Sequence, residues 1–108
     1  MRAVALTLAL LLLPASALAE RWCGPGMRYR GKLIDVDVKE AELHNVFRFL
    51  ADVGKANIVI ADDVKGAVTI RVKRVPWDQV MCTIARLKKL ELSNDRGILY
   101  VTPEPVRQ

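Results

Sequence analysis

From Asp62 to Val80 the chain reads DDVKGAVTIRVKRVPWDQV: a turn, a strand and a helix start with no linker between them. Val68, Ile70 and Val72 alternate with Thr69, Arg71 and Lys73, the period-two pattern of a strand with one wet face. Val64-Lys65-Gly66 forms the turn that opens this strand. Pro76 suits the first helical position ahead of Trp77 and Asp78, because its missing N–H is no loss there and its φ is already helical. A strand that passes straight into a helix leaves little room for an active-site loop, so the chain is constrained toward a small, closed unit.

The same period-two pattern occurs upstream, where Ile34, Val36 and Val38 alternate with Asp35, Asp37 and Lys39. The period then changes. Leu43, Val46, Phe47 and Leu50 fall at i, i+3, i+4 and i+7, which predicts a helix over 41–55 with Gly54 as its left-handed terminator. Asn57–Ala61 is a short apolar run, read as a well-buried strand. The second helix places Trp77, Val80, Met81, Ile84 and Leu87 on one face, with Lys88 and Lys89 in the last turn, where cations suit the helix dipole. Leu90–Asn94 and Ile98–Val101 read as strands joined by a hairpin connection, Asp95-Arg96-Gly97. The order is β-α-β-β-α-β-β. It predicts a small single-domain α+β fold with two helices packed against small sheets.

The flanks read differently. Residues 1–19 carry Arg2, an apolar run from Ala3 to Leu13 and the small-x-small site Ala17-Leu18-Ala19, the pattern of a signal peptide. Glu20-Arg21-Trp22 separate that site from Cys23, which argues against lipoprotein processing. Residues 20–31 hold three of the six glycines, one proline and three arginines, and read as an irregular leader. Residues 32–102 are the expected domain and 103–108 a proline-punctuated tail. Cleavage after residue 19 leaves 89 of the 108 residues, one domain's worth, with no membrane span. The net charge falls from +5 to about +4 with the loss of Arg2, which favours anionic envelope surfaces but names no partner.

Taken in order, the segments Ile34–Val38, Ala41–Lys55, Asn57-Ile58-Val59-Ile60, Asp63-Val64-Lys65-Gly66 and Val75-Pro76-Trp77-Asp78 resemble the short N-terminal domain shared by bacterial secretins and TonB-dependent signalling receptors. The resemblance spans residues 32–102, with Val64, Gly66, Pro76 and Trp77 as its motif positions. It implies a domain of two helices flanked by small sheets that works by protein–protein contact in the periplasm. The implied partners are envelope proteins: a secretin, an inner-membrane assembly component or an anti-sigma regulator. Secretins and receptors continue into a membrane barrel, whereas this sequence stops after the short domain. The expectation is therefore a freestanding periplasmic interaction module, accessory to an outer-membrane secretin or a TonB-type system, or one piece of a split system. Association with the outer membrane is consistent with either role.

The residues that could carry chemistry are few. Trp22-Cys23-Gly24-Pro25 matches the first four residues of the thioredoxin motif, but Gly26 stands where the resolving cysteine belongs, and no strand or helix frames it. An exported redox protein using Cys23 is one alternative function. The plainer reading pairs Cys23 with Cys82, since two cysteines in a small exported domain usually bond; an intermolecular bridge and free thiols are the other outcomes. Cys82 is placed opposite the apolar stripe of its helix, beside Asp78 and Arg86, on the exposed side. His44, the only histidine, lacks neighbours at metal-ligand spacing. Asp62-Asp63 reads as a turn and Asp35/Asp37 as the wet face of a strand. No nucleophile elbow, phosphate-binding glycine loop or HExxH is present, so the chain reads as a non-enzyme with no cofactor and no metal. Arg71, Lys73 and Arg74 form the candidate interaction face. The absence of an RNP-type aromatic pair or a GxxG clamp argues against nucleic acid, and binding to an anionic envelope polymer is the second alternative.

Overall fold

The computed structural model describes residues 20–105. The expected signal peptide, 1–19, and residues 106–108 of the expected tail lie outside them. The elements are β1 (Glu20–Arg21), β2 (Leu33–Glu42), α1 (Leu43–Gly54), β3 (Asn57–Ile60), β4 (Ala67–Pro76), α2 (Trp77–Leu87), β5 (Leu90–Asp95) and β6 (Ile98–Pro103). This is the α+β order read from the sequence with one addition, the two-residue β1 in the leader. β2 and β4 form an antiparallel two-stranded sheet. A second sheet runs β1-β5-β6-β3, with β3 parallel to β6 and the other pairs antiparallel. The helices pack on each other and bridge the sheets: α1 touches β2 and β3, and α2 touches β4 and β5. Phe47, Leu50, Met81, Ile84 and Val101 are fully enclosed between them.

The long β2–β4 ribbon carries two bulges, each marked by a residue with positive φ. Between Ile34↔Val75 and Val36↔Val72, β4 has one residue too many; between Val38↔Ile70 and Ala41↔Val68, β2 does. Arg74 (φ 56°) and Glu40 (φ 50°) take the left-handed conformation at these points, at a cost of about 1 kcal/mol each for an L-residue. In each case the opposite strand captures the amide that the bulge turns out of the ladder. The Arg74 N–H donates to Asp35 Oδ1 at 2.8 Å and the Glu40 N–H to Thr69 Oγ1 at 2.9 Å. Asp35, read as simply wet, therefore has a structural partner.

The helix ends differ from the expected positions. β2 runs on through Ala41 and Glu42, so α1 begins at Leu43, whose N–H donates to the Gly66 carbonyl at 3.0 Å. At the other end the left-handed residue is Lys55 (φ 55°), not Gly54. The Lys55 N–H donates to Asp52 O at 3.2 Å and the Ala56 N–H to Ala51 O at 2.9 Å, a Schellman closure. Gly54 is glycine for another reason: a Cβ there would lie 2.2 Å from the Trp77 ring. Pro76 caps α2 from extended backbone (φ −58°, ψ 141°) instead of occupying its first turn, because the Trp77 N–H is held by Lys32 O at 3.0 Å.

Burial also departs from the sequence reading at three points. β3 is only half covered, with Val59 48% exposed, because it ends the sheet and only β6 pairs with it among the described residues. Leu87, placed on the apolar stripe of α2, is 64% exposed, whereas Cys82 and Asp78, placed on the outer side, are buried. The leader causes this reversal: it lies along the Asp78–Cys82 side of α2 and encloses it.

Candidate functional site

The leader is held at four places. β1 pairs with β5 through Glu20↔Asn94 and Arg21↔Ser93. Cys23 and Cys82, 59 residues apart in sequence, are joined by a disulfide. The Trp22 ring tilts against Trp77 with centroids 5.8 Å apart. The Asp78 carboxylate accepts the Arg30 N–H at 3.1 Å through Oδ2 and the Gly31 N–H at 3.3 Å through Oδ1, which also takes the Gln79 N–H. Asp78 thus caps the first turn of α2 and ties the leader to it with one carboxylate, where the helix dipole favours negative charge. We expect Asp78→Ala to lower the unfolding free energy by about 1–2 kcal/mol, since it leaves three partly buried amides without their acceptor. Urea denaturation measures this, and amide exchange at Arg30 and Gly31 should quicken with it.

With Cys23 bonded, no free thiol stands at the Trp22-Cys23-Gly24-Pro25 sequence. Two open grooves flank Trp22, of about 540 and 460 Å³. The first is lined by Trp22, Met27, Arg28 and Asp78, and the Asp78 oxygens are already used by backbone amides. The second runs past the disulfide, with Arg86, Glu91 and Glu104 along its sides. Among the described residues no group of three His, Cys, Asp or Glu side chains is close enough together to hold a metal.

Arg71, Lys73 and Arg74 all lie exposed on β4. Arg71 and Lys73 share the outward face by alternation; Arg74 would have faced inward, and the bulge turns it out. The face is not uniformly basic. Asp37 stands directly opposite Arg71 in the ladder, and Asp35 reaches the Arg74 amide. Opposite charges across a strand pair fix register and offset one another at long range. The outer surface of this ribbon is therefore a mixed-charge strip.

The motif positions have structural roles. Val64 is buried, and its carbonyl lies 2.8 Å from His44 Nε2, which ties the 61–66 turn to α1. His44 is thereby half-buried and partnered. Gly66 takes φ 118°, closed to side-chain-bearing residues, while its carbonyl receives the first amide of α1. Pro76 caps α2, and Trp77 fills the space between Gly31 and Gly54.

Comparison with known proteins agrees with this geometry. No family model matches the chain. The fimbrial assembly protein PilQ of Pseudomonas aeruginosa is 29% identical over 85 residues, 79% of this chain and 12% of that protein. The type IV pilus biogenesis and competence protein PilQ of Neisseria meningitidis is 29% identical over 75 residues, 69% of this chain and 10% of its own length. The chain thus spans about a tenth of the relatives it matches. Among solved structures, the N0 domain of the type II secretin from enterotoxigenic Escherichia coli superimposes with a TM-score of 0.62 at 14% identity, over 68% of this chain and 96% of that one. This is a secretin N-terminal-like domain. The type IV competence pilus secretin PilQ of V. cholerae matches with a TM-score of 0.57 at 31% identity, over 63% of this chain and 16% of that one.

Within this N0-like domain, the residue the sequence reading missed is Asp78. Its signal was present, an acidic residue in the first helical turn after Val-Pro-Trp, but its partners lie 47 and 48 residues upstream. Nothing local points to them.

Proposed function

We propose that the domain is a non-catalytic protein–protein docking module of the bacterial periplasm, exported by residues 1–19 and accessory to an outer-membrane secretin assembly. The observation that carries this reading is the PilQ likeness over 79% of the chain together with the secretin N0 fold. It favours the secretin branch over TonB-type signalling, and it supports a secretin or an inner-membrane assembly component as the partner. The exposed residues Arg71, Lys73 and Arg74, set beside Asp35 and Asp37, form one docking strip. Alternating charge there selects a partner of matching pattern more than it adds raw affinity. The same compensation weighs against an anionic envelope polymer, which would need an unbroken cationic surface.

Photo-crosslinkers placed at Arg71 and Lys73 in the native cell test the reading. Capture of a secretin or pilus-assembly component supports it; capture of none of these in a strain that assembles its secretin overturns it. Paired charge reversal, Arg71→Glu with Lys73→Glu, is expected to weaken capture about tenfold or more, because like-charge contacts exceed the ~1.4 kcal/mol that a decade of affinity represents. The unfolding midpoint should hardly change, since exposed substitutions usually stay within about 0.5 kcal/mol. A mature species the size of residues 20–108 in the periplasmic fraction tests the freestanding role.

A further inference from the structure

The four-stranded sheet ends in an edge with little protection. β3 is Asn57-Ile58-Val59-Ile60, paired on one side with β6 and, among the described residues, with no strand on the other. Sheet edges are ordinarily protected by lysine, proline, a bulge or a covering loop. β3 has none of the first three and is only four residues long. The Ala61 N–H donates to Val101 O at 3.0 Å. Because both groups of a residue in a parallel ladder face the same neighbour and residues alternate, Asn57 and Val59 bond toward β6, and the N–H and C=O of Ile58 and Ile60 point outward.

The surface beside this edge has a definite chemistry. Register places Val59 next to Tyr100, and Tyr100 next to Ser93, on the outer face of the sheet. Ile98 is their neighbour, between Asn57 and Asp95. Val59 is 48% exposed, a large apolar side chain at the margin. At the end where β3 stops, Asp62 and Asp63 are exposed, with Lys65 exposed two residues further along the same turn. At the other end, Lys55 precedes β3, and Arg96 is 3.7 Å from Asp95, which offsets it. Arg21 pairs with Ser93 at the far side of the sheet, and Lys89 precedes β5. The margin around β3 is thus apolar in the middle, with the Asp62-Asp63 pair directly past its C-terminal end, in a chain whose net charge is +5.

We infer that the free edge of β3 is a second docking site, which takes an extended segment of an envelope protein with alternating apolar and basic residues. Backbone groups of the incoming strand pair with Ile58 and Ile60, its apolar side chains cover Val59, and its basic end lies against Asp62 and Asp63. This inference rests on the reading of the domain as a docking module, but it concerns the sheet opposite the Arg71–Lys73 strip.

The test uses the full mature chain, with amide exchange followed by NMR. The probe is an end-capped ten-residue peptide of alternating valine and lysine, and the control alternates valine and glutamate. Free Ile58 and Ile60 amides should exchange rapidly, and the valine–lysine peptide should slow both at least tenfold. Asp62→Lys with Asp63→Lys should abolish that protection while leaving the amides of β4 unchanged. Equal protection by the glutamate peptide, protection confined to β2 and β4, or none at β3 overturns the proposal. Crosslinking from Arg71 reads the first strip independently, so a partner captured there without β3 protection removes this inference and leaves the docking function standing.

Discussion

Replacing both cysteines, Cys23→Ala with Cys82→Ala, is expected to lower the unfolding free energy by about 4 kcal/mol. The bridge spans 59 residues, and in the chain-entropy account a cross-link of that span removes about this much freedom from the unfolded ensemble. A small domain has only roughly 5 kcal/mol or somewhat more to lose, so the variant should stay folded only marginally. Its melting temperature should drop by roughly 15–30 °C, at 4–8 °C per kcal/mol for a domain this small. Reduced wild-type protein should melt at the temperature of the double variant, since both have lost the same constraint. A drop of less than about 1 kcal/mol would mean that β1, Trp22 and Asp78 already hold the leader without the bond.

The second large effect runs against helix propensity. At an exposed helical site Gly→Ala stabilises by about 1 kcal/mol; Gly54→Ala is expected to destabilise by about 3 kcal/mol. A Cβ on Gly54 would lie 2.2 Å from Trp77 Cε2 and Cζ2. The ring cannot slide away, because a Cβ position on Gly31 is already only 2.4 Å from Cδ1 and Nε1 on another edge of the same indole. Trp77 sits where α2 begins, with its amide bonded to Lys32, so moving it disturbs β2, α1, α2 and the leader together. Chemical denaturation gives the sign directly. In a Trp77→Leu background the Gly54→Ala cost should shrink, which a double-mutant cycle measures as coupling between the two positions. A stabilised Gly54→Ala protein would show that the indole contact does not constrain this turn.

These glycines show how much of the fold was legible. The helix end after Val53 was, because Gly54 followed by a polar residue marks a terminus. The reason for the glycine was not, since a left-handed cap and a close approach both select the same residue. Lys55 takes the cap, and Trp77 takes the space. The strand alternation of β2 and β4 was equally legible, apart from the bulges at Glu40 and Arg74. Those depend on acceptors from the opposite strand, Thr69 and Asp35, and a linear reading cannot tell which residues will face each other.

The docking surfaces divide in the same way. Arg71 and Lys73 were readable as outward because period two assigns faces within a strand. Their compensation by Asp37 and Asp35 was not, because it depends on pairing register. The open edge of β3 was read as a buried strand, since an apolar run looks the same in the centre of a sheet and at its margin.

By itself the sequence determined both helices, every strand except β1, their order, the likeness to a secretin domain and the faces of β2 and β4 outside their bulges, because hydrophobic period is a local property of the chain. Only the tertiary structure decided which side of α2 is covered, where Cys82 lies and which strand is left with an open edge. The first two follow from contacts between segments some fifty to sixty residues apart, Cys23 with Cys82 and Arg30 with Asp78, and the third from β3 pairing with β6 alone among the described residues. Burial is decided there by what lies across the gap and not by the residue's neighbours in sequence.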